Sequence, residues 1–133
     1  MSQILAVAVG GAIGSVGRFL IASLINQRNL SQTAVPLFPY GILLVNALGS
    51  FLIGFVFIVL NTRFATHESQ DLIRAFAIIG LLGGFTTFST FSLDTLQLLQ
   101  YGLWGKALLN IIVSLVICIA GAGAGTLLAR TIT

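Results

Sequence analysis

Charge is sparse along four long apolar stretches of this chain, and no other feature restricts its folding so severely. Only six of 133 residues are Lys or Arg and three are Asp or Glu, so charged residues make up 7% and hydrophobic ones 57%. A soluble domain ordinarily carries roughly 25% charged residues. The apolar stretches run Ile4–Ile25, Gly41–Leu60, Leu72–Leu99 and Lys106–Ala129. Each matches the roughly 20 residues a helix needs to cross a hydrocarbon core about 30 Å thick. The expected fold is an all-α integral membrane protein with four transmembrane helices, one domain over residues 1–133.

The same scarcity of ionisable groups excludes several functions. The net charge of +3 comes from scattered single Lys and Arg residues at segment ends, where such side chains meet lipid headgroups, so no nucleic-acid surface is expected. One His and three acids cannot assemble a hydrolytic triad or a metal cluster, so the chain does not read as an enzyme. His67, Glu68 and Asp71 fall in the second loop, and Asp94 lies toward the end of segment three. A proton-coupled carrier needs a membrane carboxylate or histidine as relay, and no segment centre holds one. Cys118 is the single cysteine, suited to packing as a small apolar residue. The first segment is full length and contains Arg18, unlike a cleaved leader, and reads as a retained helix.

If the helices cross in succession, Arg63, Arg74 and Arg130 lie on one face and Arg28 and Lys106 on the other. So even a distribution sets no orientation under the positive-inside rule, and insertion both ways round is expected. Four helices offer little interior for a solvated path. A second, inverted copy would supply the in-plane two-fold symmetry that larger transporters obtain from inverted repeats. Gly10 and Gly14, Gly80 and Gly84, and Ser50 and Gly54 have the four-residue spacing of close helix contacts.

Polar groups in hydrocarbon must be paired or face a wet cavity, so the few present are the candidate site. Arg18 is either a snorkelling interfacial residue or a fixed positive charge at a vestibule. Asn46, Ser50 and Gly54 share a helical face with Phe57 nearby; the Asn46 amide can bond another helix or donate to an anion. Segment four carries a matching stripe of Asn110, Ser114, Cys118, Gly121 and Gly125, able to meet another helix and, at Asn110 and Ser114, to wet a path. The strongest signal is Gly80-Leu-Leu-Gly-Gly-Phe-Thr-Thr-Phe-Ser-Thr-Phe-Ser92. Adjacent glycines and a run of hydroxyl residues disfavour continuous helix, so the third helix is expected to break at mid-membrane. Phe88 and Phe91 then share a face, and their positive ring edges suit a small anion, although core packing alone also accounts for two phenylalanines.

The run Gly83-Gly-Phe-Thr-Thr-Phe-Ser-Thr-Phe-Ser92, with Gly11-Ala-Ile-Gly-Ser-Val-Gly-Arg18 and Val45-Asn-Ala-Leu-Gly-Ser-Phe-Leu-Ile-Gly54, resembles the CrcB/Fluc family of fluoride channels over nearly the whole chain. That resemblance implies an antiparallel, dual-topology homodimer with two fluoride pathways along its interface. By motif position it implies an aromatic box of Phe88 and Phe91, a donor at Asn46, and a hydroxyl track of Ser89, Thr90 and Ser92. Ser114 and Asn110 join the path from segment four, where family members often have serine or tyrosine at the Asn110 position. Arg18 would draw fluoride into a vestibule. A structural sodium ion at the dimer centre would be held by the backbone carbonyls of Gly83 and Thr86. The location implied is the cell membrane, multi-pass, of a bacterial inner membrane. The expected function is passive, selective fluoride efflux giving fluoride resistance; the rivals are a small multidrug or cation exporter and a non-conducting assembly subunit.

Overall fold

A computed structural model describes residues 1–28, 38–63 and 68–133. His67 lies outside the described residues, and for Arg28 and Glu68 only the backbone is described. The described residues form helices and no strand: α1 (Ser2–Arg28), α2 (Tyr40–Arg63), α3 (Glu68–Arg74), a π-helical segment (Ala75–Leu82), α4 (Gly83–Phe85), α5 (Phe88–Gln100) and α6 (Trp104–Ile132). Four spans are long and apolar enough to cross a membrane: Ser2–Ile25, Tyr40–Arg63, Gln70–Gln100 and Trp104–Ile132. The chain is a multi-pass membrane protein.

The helices run past the apolar stretches that announce them. Tyr40, Arg63, Trp104 and Arg130 are all helical, because hydropathy marks the hydrocarbon core while backbone hydrogen bonding continues into the headgroup layer. Asp71, expected in the second loop, lies within α3. An acidic residue this close to a helix start meets the positive end of the macrodipole, which favours helix over loop there. α5 ends where Gly102 adopts φ 72°. The Leu103 N–H bonds the Leu98 carbonyl at 2.8 Å and the Gly102 N–H bonds that of Leu99 at 3.0 Å, the paired closure that only a left-handed residue permits.

Two helix pairs carry the packing. α1 lies against the π segment and α4, and α2 lies against α6. A Cβ on Gly14 would collide with the Leu81 carbonyl and the Phe85 backbone nitrogen, and one on Gly84 would collide with the Gly11 backbone. On the other side, Gly125 of α6 abuts the Phe51 carbonyl of α2, and Gly54 abuts that of Ala122. At one end of the bundle the Arg63 guanidinium donates to the Ile132 carbonyl at 3.3 Å, tying the ends of α2 and α6. Nearby the Arg74 guanidinium sits 5.5 Å from the Phe57 ring centroid.

Candidate functional site

The site begins with two residues that leave the helix. Gly83 and Gly84 are helical, whereas Thr86 (φ −82°, ψ 156°) and Thr87 (φ −150°, ψ 120°) are extended, and α5 starts at Phe88. Threonine takes this backbone readily, since its β-branch restricts it in helices. The groups so released find partners. The Thr86 N–H and hydroxyl both bond the Leu82 carbonyl, at 3.0 and 2.9 Å. The Thr87 N–H donates to Asn46 Oδ1 at 2.8 Å, and Asn46 Nδ2 donates to the Thr87 carbonyl at 3.0 Å. One carboxamide on α2 therefore takes the N–H that a helix would pair with Gly83 and also donates to the Thr87 carbonyl. The Thr87 hydroxyl accepts from the Thr90 N–H at 3.2 Å, capping α5, and meets the hydroxyls of Ser89 and Thr90, each at 3.1 Å.

These partners have a consequence for two carbonyls. In an unbroken α-helix the N–H of Thr87 would bond the Gly83 carbonyl, and that of Thr90 the Thr86 carbonyl. Both N–H groups are engaged elsewhere, by Asn46 and by the Thr87 hydroxyl. Two carbonyl oxygens released from helical pairing are suitable ligands for a hard cation, so the donor set fits sodium.

Beside the interruption, α2, α5 and α6 enclose an open groove of about 310 Å³ lined by Asn46, Ser50, Thr87, Phe88, Phe91, Ser114 and Cys118 among others. The Phe88 and Phe91 ring centroids are 5.4 Å apart at an interplanar angle of 45°. Phe88 is 75% exposed on the chain surface, far from the burial expected of a core phenylalanine. Asn46 has one amide N–H committed to Thr87 and one remaining, so it both bonds another element and keeps a single donor for an anion. Among the described residues, none that lines this groove carries a carboxylate, imidazole, ammonium or guanidinium. Amide, hydroxyl and ring-edge dipoles there can hold an anion without trapping it against a full charge.

A second groove, about 410 Å³, lies where α1, α2 and α5 meet, and is lined by Ser15, Arg18, Phe19, Ser23, Ile42 and Thr90. The sequence-expected residues thus divide. Asn46, Phe88, Phe91 and Ser114 come together in the first groove, and Arg18 and Thr90 in the second. Ser89, Ser92 and Asn110 line neither. Ser92 donates to the Phe88 carbonyl at 2.9 Å, and Asn110 is 1% exposed, with its amide bonded to Thr95 at 2.9 Å. Thr87 and Thr95 were missed as participants. The spacing of Thr87 and Thr90 carried a capping signal for the former, and Thr95 follows Phe91 by the same four residues that separate Asn46 from Ser50.

Residues 5–126 match the family model described as CrcB-like protein, Camphor Resistance (CrcB). The chain belongs to the CrcB-like family. This CrcB-like chain is 46% identical over 129 residues to a fluoride-specific ion channel FluC of Opitutus terrae, covering 94% of this chain and 90% of the relative. It is 43% identical to a protein of the same name from Legionella pneumophila, over 95% and 88% of the two chains. A third, from Shewanella frigidimarina, is 46% identical over 90% and 89%.

Proposed function

We propose that this CrcB-like chain is a fluoride-selective channel that lets fluoride leave the cell passively and so confers fluoride resistance. The observation that carries the reading is the first groove, where Asn46, Ser114 and the side chains of two phenylalanines converge with no carboxylate, imidazole, ammonium or guanidinium among the described lining residues. Fluoride is compact and strongly hydrated, so a selective path must replace its water with several small donors in a narrow space. The relatives' shared name supports the choice of ion.

In this reading Phe88, Phe91, Asn46 and Ser114 line the path, the hydroxyls of Ser89, Thr90 and Ser92 flank it, and Arg18 gathers anions at a vestibule. The active form is an antiparallel, dual-topology homodimer, in keeping with the even division of basic residues between the two faces. The third helix is broken at mid-membrane at Thr86 and Thr87. The Gly83 and Thr86 carbonyls would hold a structural sodium ion, whose charge would steady the break from which α5 and its phenylalanines start.

The test is release of fluoride from liposomes containing the purified protein, followed with a fluoride electrode, with chloride release as control. Rapid fluoride release without chloride is expected. Cation uptake driven by a pH gradient would instead indicate an exporter, and no ion flux from a verified dimer would indicate a non-conducting assembly subunit.

A further inference from the structure

Two buried polar side chains join α5 to α6 without lining the groove. Asn110 is 1% exposed and Thr95 is 7% exposed. Asn110 Nδ2 donates to Thr95 Oγ1 at 2.9 Å, and Thr95 Oγ1 in turn donates to the Phe91 carbonyl at 2.7 Å. On its other side Asn110 Oδ1 accepts from the Ser114 hydroxyl at 3.4 Å. Phe91 and Ser114, which both face the groove, are therefore connected through one amide that does not.

Such an arrangement has a definite mechanical effect. Away from water, an amide with its partners engaged has one low-energy orientation, because any other leaves a donor or acceptor unpaired. A threonine that bonds the carbonyl four residues back also biases the local bend of its helix, and here that carbonyl is Phe91's. Ser114 has a single hydroxyl proton. While it points to Asn110, only lone pairs are left for the groove, and the long contact lets the proton turn outward when an anion arrives.

We infer that Thr95 and Asn110 are positioning residues for the ion path: they set the Phe91 ring against α6 and the resting direction of the Ser114 hydroxyl, without touching the ion. This rests on the fluoride-channel reading and deepens it.

The full-length protein in liposomes tests it through Thr95→Ser, Thr95→Val and the pair Thr95→Val with Asn110→Leu. Three quantities are read: fluoride flux, the thermal unfolding midpoint in detergent, and the fluorine resonance of 4-fluorophenylalanine placed at position 91. Thr95→Ser keeps the hydroxyl and should hold flux within about twofold of the parent. Thr95→Val strands the Asn110 amide, lowering the unfolding midpoint, cutting flux by about tenfold or more and shifting the resonance. The double variant removes both polar partners, so the midpoint should recover while flux stays low and the resonance stays displaced. Flux that recovers along with the midpoint would reduce the pair to a strut and overturn the inference, as would an unmoved resonance in Thr95→Val. A parent protein that carries no fluoride, yet whose resonance responds to Thr95→Val as described, would sink the channel reading and leave the positioning role standing.

Discussion

The two sides of the bundle are held together by different physics. Where α1 meets the π segment and α4, backbone touches backbone through Gly10, Gly14, Gly80 and Gly84, and among the described residues the side-chain hydrogen bond between these elements is a long one, 3.5 Å, from Ser15 to the Gly84 carbonyl. Where α5 meets α2 and α6, the contact runs through amides and hydroxyls: Asn46 on Thr87 and Asn110 on Thr95, with Ser114 bonded to Asn110 one turn along α6. Lipid tails are as apolar as leucine, so helices in a membrane gain little from burying apolar side chains and associate through close van der Waals approach or hydrogen bonds. This chain uses close glycine approach between α1 and the third span and between α2 and α6, and hydrogen bonds where α5 is seated. The glycine side anchors the third span, and the polar side shapes the groove.

The comparison breaks most severely at Gly14. Gly14→Leu drives a side chain into the Leu81 carbonyl; overpacking costs about 1–3 kcal/mol even where neighbours can yield, and backbone yields least. Loss of monodisperse protein on size exclusion is expected, and a well-folded, conducting variant would show that this contact is not an anchor.

Phe91→Ile should act on the other side alone. Assembly and unfolding temperature remain near those of the parent, while fluoride flux falls by about tenfold or more, equivalent to roughly 1.4 kcal/mol or more on the barrier. Unchanged flux in reconstituted protein would remove the ring-edge role.

Asn46→Asp is nearly isosteric and separates the two halves of the Thr87 clamp. The carboxylate still accepts the Thr87 N–H but cannot donate to the Thr87 carbonyl, and it repels anions. When protonated it can donate again and is neutral. Flux should therefore be lowest at neutral pH and rise as the pH is lowered, opposite in sign to any loss caused by acid unfolding; a pH-independent flux measured in matched liposomes would contradict the clamp.

The smallest effect is expected at Gly123, where an added Cβ meets nothing within 4 Å. Gly123→Ala should leave flux unchanged and raise stability by about 0.5–1 kcal/mol from helix propensity. A marked loss of dimer instead would place a partner surface on that side of α6.

Much of this was legible without coordinates, and the reasons are local. Four apolar stretches of spanning length, with almost no charge in them, read as helices in a membrane, since every backbone group there must bond within its own segment. Small residues four apart announced close contacts, but not which helix each would meet: Gly14 faces Leu81 and Phe85, whereas Gly125 faces Phe51. The groove candidates Asn46, Phe88, Phe91 and Ser114 were visible as polar or aromatic exceptions in apolar surroundings. Thr95 was hidden because a threonine in a helix is unremarkable until its neighbour on α6 is known. Nothing in Ala75–Leu82 signals a π-helix, which depends on how this segment seats against α1.

Composition and spacing alone determined the membrane setting and the four spans, and picked out part of the groove lining, because solvation and helical periodicity act on each segment separately. Only the tertiary structure decided that Asn46 spends one donor and one acceptor on Thr87, that Asn110 bonds Thr95, and that the Gly83 and Thr86 carbonyls lose their helical partners. Those outcomes depend on pairings between residues distant in sequence, such as Asn46 with Thr87, and a hydrogen bond is chosen by whichever partner the packed helices bring within about 3 Å.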